Sequence, residues 1–251
     1  MQGMRAEPLI RGGLVARLAQ TPAEVEAAQR LRHLAFVATR GRGPAEGRDA
    51  DSFDDGAAHL LVCDQGRPVA CCRLMLHRGA GVLSGYTAGF YDLTPFAAYP
   101  APMLELGRFC LHPDRHDPDL LRLAWAMVAR LVDAEGVGLL FGCSSFDGAD
   151  PARHAGALAA LVPHAGPEAL RPRALAAPGR VALAELAQAR PAPDALPALL
   201  RSYLALGGWV SDHAVRDPAL DTLHVLTAVD VAAIPPARAR ALRLLAGLGV
   251  G

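Results

Sequence analysis

Apolar residues recur along the chain in short runs, some alternating and some continuous, broken by Gly, Pro and Asp. That is the pattern of strands interleaved with helices. "LVARLA" (14–19) predicts a first strand, and Thr21-Pro22 with Glu24 in the next turn predicts a capped helix running to about Thr39. "RGRGPAEGRDADS" reads as a polar loop. "HLLVCD" (59–64) and "RPVACCRLML" (67–76) flank Gln65-Gly66 and predict a hairpin. "HRGAGVLSG" reads as a flexible loop, "FYDLTPFAAYP" as a short helix ended by Pro100, and "MLELGRFCLH" as a fourth strand. The next helix is bounded on both sides: Asp117 caps it, Pro118 opens it and Gly136 stops it. "VGLLFGCSSF" predicts a fifth strand, and Asp150-Pro151 starts another helix. Residues 165–193 read as a long irregular excursion. "LPALLRSYLALGG" is a helix with a Gly stop, "WVSDHAVRD" and "LHVLTAVD" are a final strand pair, and "PPARARALRLL" is a terminal helix. The order implies an α/β (α+β) fold with a central mixed sheet and helices on both sides.

Composition narrows the function classes. The 25 basic and 25 acidic residues cancel, so no global field draws the protein towards nucleic acid. Every basic residue is Arg, and the absence of Lys excludes Schiff-base chemistry and a Walker-type phosphate loop. The five cysteines, Cys63, Cys71, Cys72, Cys110 and Cys143, sit in apolar runs without C-x-x-C spacing and read as small buried thiols of a reducing cytoplasm. The first residues lack the pattern of a signal peptide, and no apolar run reaches the ~18–20 residues needed to span a bilayer. No metal spacing is present: there is no H-E-x-x-H, and His112 and His116 merely flank a loop.

The chemistry concentrates where charge interrupts apolar strands. Glu105 and Arg108 lie three apart in "LELGRFCLH". Side chains alternate along a strand, so the two meet only if a bulge near Leu106-Gly107 shifts the phase. Such a bulge also frees main-chain N–H groups for a ligand carbonyl or an oxyanion. The plainer alternative is a buried Glu–Arg pair of structural value. Arg73 interrupts "ACCRLML". Arg32 and Phe36 share a helical face at i, i+4, and Asp51 and Asp54 could form an acidic pocket for an amine. Together they suggest one charged cavity. Ser144 and Ser145 stand at the end of the fifth strand, where serines also serve as turn formers. A covalent Cys143 or Cys110 mechanism lacks any His placed beside it.

These residues resemble a known signature. Arg32-x-x-x-Phe36, Asp51-x-x-Asp54, Arg73 and Glu105-x-x-Arg108 resemble the pattern of acyl-homoserine lactone synthases, GNAT-like enzymes that take acyl groups from acyl carrier protein. That family carries a Trp between the Phe and the acidic pair, whereas the two Trp here are Trp125 and Trp209. The bacterial L-ornithine N-alpha-acyltransferases are a closer likeness. "DSFDDGAAHLLVCD", "GFYDLTPF", "LELGRFCLHPDRH", "LLFGCSSFDGADP" and the tail "LPALLRSYLALGGWVSDHAVRDPALDTLHVLTAVD" are similar to that family's blocks, over about residues 14–234. His224 departs from it, standing where an acidic residue is expected.

The resemblance implies a single GNAT-like domain over 1–251, with a core of about 14–164 and a C-terminal extension of about 165–251 on the same largely antiparallel sheet, its fourth strand bulged. It implies transfer of a 3-hydroxyacyl chain from acyl carrier protein to the α-amine of ornithine, giving lyso-ornithine lipid. Glu105 would be the base and Arg108 its catalytic neighbour. Arg73, Arg108 or Arg32 would take the substrate carboxylate, Asp51 or Asp54 its ammonium, and Phe36, Phe109, Ser144 and Ser145 would line the site. The donor is the phosphopantetheine thioester of the carrier protein, with no bound cofactor. The turn "HPDRHDPD" fits this, since it has no Gly and three Asp where a coenzyme A pyrophosphate would need a cradle. An acidic carrier protein would dock on Arg115, Arg122 and Arg130. The expected location is cytoplasmic, with peripheral contact to the inner membrane through Arg238, Arg240 and Arg243 of the terminal helix. Other acceptors, such as glutamine or S-adenosylmethionine, remain as alternatives, as does a membrane-binding module without activity.

Overall fold

The computed structural model describes residues 4–115, 117–175 and 179–249. Eleven strands and five α-helices occur among them. In chain order they are β1 (Leu9–Arg11), β2 (Leu14–Leu18), α1 (Pro22–Phe36), β3 (Ala58–Asp64), β4 (Arg67–His77), β5 (Tyr91–Asp92), β6 (Met103–Leu111) and α2 (Pro118–Glu135). They continue with β7 (Leu139–Asp147), α3 (Ala155–Leu161), β8 (Arg173–Ala174), β9 (Arg180–Ala182), α4 (Ala198–Ala205), β10 (Trp209–Asp217), β11 (Thr222–Asp230) and α5 (Pro236–Leu245). The chain forms two compact units. One holds Met1–Leu76, Leu106–Val137 and Pro236–Gly251; the other holds His77–Glu105 and Gly138–Pro235.

In the first unit, β1 to β4 form an antiparallel meander, and the C-terminal part of β6 lies beside β4, where the His112 N–H donates to the Val69 carbonyl at 2.8 Å. The Gln65-Gly66 turn takes left-handed φ at both residues, +48° and +80°, as a two-residue hairpin requires. A capping box starts α1. The Thr21 hydroxyl accepts the Glu24 N–H, and the Glu24 carboxylate accepts the Gln20 and Thr21 N–H groups. The helix is shorter than expected, ending at Phe36 before a 3₁₀ turn over Ala38–Arg40 that Gly41 closes at φ +64°. Its inward face packs Ala28 and Leu31 against Leu61, Cys63, Cys71 and Cys110. α2 has the expected bounds, capped by Asp117 and stopped by Gly136 at φ +62°.

In the second unit, the start of β6 runs parallel to β7, from Met103 opposite Leu139 to Glu105 opposite Phe141. The other ladders, β7 with β11, β11 with β10 and β10 with β9, are antiparallel. The sheet architecture is thus mixed and largely antiparallel, with flanking helices. Two cores support this unit. One packs α3 and α4 under β10 and β11 through Leu158, Leu161, Leu200, Val210 and Val225. The other gathers Val82, Tyr91, Phe96, Phe141 and Leu226. The segment expected to be a flexible loop, 77–85, contains a 3₁₀ helix, Gly79–Ser84, whose Val82 is fully buried. The helix expected over 90–100 is instead the strand β5 followed by a 3₁₀ helix, Thr94–Ala98. The excursion at 165–193 contributes β8 and β9.

Candidate active site

In the first unit, three guanidiniums meet three carboxylates. The Arg32 fork grips Asp54, Nη1 to Oδ1 at 2.9 Å and Nη2 to Oδ2 at 2.7 Å. Arg32 Nη2 also donates to the Asp49 carbonyl, and Nε lies 2.9 Å from Asp49 Oδ2, a charge contact outside hydrogen-bond geometry. Arg73 Nη1 reaches Asp54 Oδ1 at 3.0 Å and also Asp51 Oδ1, and its guanidinium carbon stands 5.5 Å from the centre of the Phe53 ring. Arg108 bridges Asp49 Oδ2 (Nε, 3.1 Å) and Asp51 Oδ2 (Nη2, 3.2 Å). Gln29 completes the shell of Asp54 at 2.9 Å. Arg32, Arg73 and Asp54 are buried, whereas Asp51 keeps 27% of its side chain exposed and is the open corner of the cluster. Burial alone would raise the Asp54 carboxyl. The hydrogen bonds and charge of Arg32, with those of Arg73 and Gln29, outweigh it and hold Asp54 well below the usual carboxylate range.

The second unit holds Glu105. Its Oε1 accepts both the backbone N–H and the hydroxyl of Thr87, each at 2.6 Å, and its Oε2 lies 2.8 Å from His77 Nε2. The His77 ring tilts against Phe141 at 6.0 Å between centroids. Gly85 closes over the pair: a Cβ there would lie 2.3 Å from Glu105 Oε2 and 3.0 Å from the His77 ring, so no other residue fits without moving them. Glu105 therefore uses three of the roughly four lone-pair positions a carboxylate offers, leaving one on the Oε2 side.

The expected Glu105–Arg108 pairing is replaced by these two partner sets, His77 and Thr87 for Glu105, Asp49 and Asp51 for Arg108. The backbone kink is real but falls one residue later than Leu106-Gly107, at Arg108 itself, where φ is +53°. Asp49, His77, Thr87 and Gly85 were not foreseen. His77 carried a readable signal, since it stands four residues after Arg73 on one strand and so faces the same side. Asp49 lay in plain view in the same acidic loop as Asp51.

The remaining candidates scatter. Phe36 packs at the edge of the α1 core under Arg40, and Phe109 is half-buried on β6. Ser144 and Ser145 point to opposite faces of β7. Ser144 is buried and accepts from the Thr227 hydroxyl at 2.9 Å, while Ser145 is exposed. Cys143, on the Ser145 face, lies 3.8 Å from the Thr87 hydroxyl. The other four cysteines are buried, and burial raises the thiols of Cys63 and Cys72. The Cys110 thiol is raised by its 3.5 Å contact with Cys71 and then by burial. Arg115 pairs with Asp64 (2.5 Å) and Arg122 with Asp119 (2.9 Å), both at the surface. Arg130 is directed at main chain, donating to the carbonyls of Ala246 (2.6 Å), Glu7 (2.8 Å) and Pro8 (3.3 Å). His112 Nδ1 accepts the Asp114 N–H, and His116 lies outside the described residues.

His224 finds its explanation in an aromatic box. Phe90 meets its ring edge-on at 4.8 Å, and the Tyr91 hydroxyl donates to its carbonyl at 2.9 Å and lies 3.2 Å from Nδ1. A carboxylate in this box would lack a cation, whereas a neutral imidazole fits. Burial pushes the ring's pKa down to about 4, and the nearby Asp217 does not reverse this. The folded value lies below that of the unfolded chain. The stabilising effect is therefore complete above about pH 6.5 and is lost as the pH falls towards 4. Between pH 7.5 and 5 this residue should remove about 2 kcal/mol of stability. Urea midpoints at the two pH values test this. The drop should shrink by that amount in His224→Gln, and an unchanged drop would show that the imidazole is not held neutral.

A parallel β6–β7 pair joined through α2, with β6 kinked and carrying a braced carboxylate, defines the class: an acyltransferase of the GNAT type. The acetyltransferase (GNAT) domain family matches residues 31–126. FeeM, an N-acyl amino acid synthase from uncultured soil microbes, has a similar fold, with a TM-score of 0.53 at 14% identity over 96% of this chain and 98% of its own. The L-ornithine N(alpha)-acyltransferase of Rhodobacter capsulatus is 38% identical over 87% of this chain and 90% of its own length. That of Brucella abortus is 34% identical over 85% and 83%. The chain belongs to the L-ornithine N(alpha)-acyltransferase family. Among the described residues, no helix is long and apolar enough to cross a membrane.

Proposed function

We propose that the chain is an N-acyltransferase that moves a 3-hydroxyacyl group from the phosphopantetheine thioester of acyl carrier protein to the α-amine of L-ornithine, giving lyso-ornithine lipid. The 38% identity across 90% of the Rhodobacter relative carries this reading. In the proposed reaction, the amine nitrogen attacks the thioester carbonyl, the C–S bond breaks and the carrier thiol leaves. The amine must lose a proton, and the Glu105–His77 pair takes it, directly or through one water, at the remaining lone pair of Oε2. Main-chain N–H groups near the kink at Arg108 would stabilise the developing oxyanion. Arg108 and Asp51, both half-buried members of the charged cluster, take the charged ends of the amino acid by exchanging partners with it. Arg73, Arg32 and Asp54 hold that corner in place. Ser145, exposed on β7, is offered to the thioester arm.

The start of α2 favours a carrier-protein donor over coenzyme A. Its first turn is filled by the chain's own carboxylates: the Asp117 side chain accepts the Asp119 N–H at 2.8 Å, and Asp119 pairs with Arg122. A pyrophosphate would be repelled there, whereas a carrier-protein arm brings only one phosphodiester. Arg115 and Arg122 are exposed basic groups an acidic carrier would meet, whereas Arg130 is committed to main-chain carbonyls. No resident cofactor is invoked.

The test is incubation of the purified protein with 3-hydroxyacyl carrier protein and ornithine, read by mass spectrometry. The expected product is the N-acylated ornithine, with glutamine and S-adenosylmethionine far slower. Turnover with S-adenosylmethionine alone would overturn the reading in favour of lactone synthesis.

A further inference from the structure

Thr87 gives Glu105 two donors at once, both residues lying within the second unit. Its N–H and its hydroxyl reach the same oxygen, Oε1, each at 2.6 Å, and both residues are buried, Thr87 at 0% exposure and Glu105 at 3%. The N–H is available because Thr87 opens the 3₁₀ turn Thr87–Gly89, whose first amides have no acceptor within the turn. The hydroxyl is oriented from its other side. The Cys143 thiol donates to Thr87 Oγ1 at 3.8 Å, and the hydroxyl's own proton points to Glu105, which as a carboxylate can only accept. Threonine is branched at Cβ, so the rotamer is held by the side chain's own stiffness as well as by packing. Oε1 therefore has both lone pairs occupied, whereas Oε2 has one taken by His77 at 2.8 Å.

We propose that Thr87 is a positioning residue for the acyl transfer. By saturating Oε1 it makes Oε2 the oxygen of Glu105 that takes the amine proton, and it fixes the direction in which that oxygen points. The role rests on the proposed reaction, in which the Glu105–His77 pair is the base. As the amine N–H bond breaks, its electron pair stays on nitrogen and the proton passes to Oε2. Oε1 keeps both Thr87 donors throughout, so the carboxylate does not turn during the step. Without the hydroxyl, Oε1 would hold only the N–H, and the two oxygens would compete for the proton. Base catalysis depends on hydrogen-bond reach, so a loosely held carboxylate is a poorer base than a fixed one. An anchor of purely structural value would be read in the folding midpoint rather than in the rate.

Thr87→Val, Thr87→Ser and Thr87→Cys, assayed with 3-hydroxyacyl carrier protein and ornithine alongside a thermal midpoint, test it. Thr87→Val keeps the shape and removes the donor, and its kcat should fall about tenfold or more with both KM values unchanged. Thr87→Ser keeps the hydroxyl and should recover most of that loss. Thr87→Cys offers only a weak donor and should fall between the two. If Thr87→Val does not fold, the order of Thr87→Ser over Thr87→Cys carries the test. The proposal is overturned if Thr87→Val turns over like the wild type, if Thr87→Ser and Thr87→Cys are equally active, or if the loss lies in KM alone. A wild-type protein that forms no N-acylornithine would overturn the proposed reaction and this role with it. An active wild type with an equally active Thr87→Val would remove only the role of Thr87.

Discussion

Glu105→Gln is expected to lower turnover by about 10²–10⁴ while leaving the fold in place. The amide has the same shape as the carboxylate. Its carbonyl oxygen can still accept the Thr87 N–H and hydroxyl, so the segment from His77 to Phe90 keeps its anchor. The amide nitrogen then faces His77 Nε2, and that contact survives by a change of imidazole tautomer. Only the capacity to take a proton from the amine is lost. The loss should appear in kcat rather than KM, because a base acts in the transition state. The measurement is steady-state turnover with saturating 3-hydroxyacyl carrier protein and ornithine, alongside a thermal midpoint. An unchanged kcat at an unchanged midpoint would remove Glu105 from the chemistry and leave it as an anchor for Thr87.

Arg32→Met should be the most destabilising single substitution in the charged cluster, by about 3 kcal/mol or more. Arg32 is 1% exposed and contributes the two-pronged grip on Asp54 as well as contacts to Asp49. Removing it leaves a carboxylate that is 4% exposed on its side chain with Arg73 as its cationic partner, beside the Gln29 amide and the Asp51 N–H. Arg32→Lys keeps the charge but not the fork, so it should recover part of the loss. Urea unfolding at pH 7.5 reads all three proteins. A midpoint for Arg32→Met within error of wild type would mean that the cluster contributes little to folding and exists for the substrate.

Much of this architecture was legible in advance. The bounds of α2 follow from Asp117, Pro118 and Gly136, and the β3–β4 hairpin from Gln65-Gly66, because caps and turns are written in adjacent residues. Arg32, Asp51, Asp54, Arg73 and Arg108 meet in one cluster, whereas Glu105, which the sequence groups with them, takes His77 and Thr87 as partners. What failed was partner choice. Glu105 and Arg108 are neighbours in sequence, so they were paired with each other, but partners are set by which strands and loops face them. His77 arrives from the end of β4, Thr87 from a 3₁₀ turn, and Asp49 from a loop without regular structure. β1, β5, β8 and β9 are two or three residues long and too short to show a period. An isolated Gly is the bulge signal in the sequence, yet it is Arg108 that adopts the left-handed conformation, its guanidinium bound to two carboxylates.

The chain leaves the first unit after Leu76, returns at Leu106, departs again after Val137 and comes back only at Pro236. A polypeptide emerging from the ribosome therefore lacks one side of the Arg130 clasp until Ala246 has been made, 116 residues later. The second unit has all of its strands in hand by Asp230. Synthesis thus imposes an order of assembly in which the unit begun first is closed last.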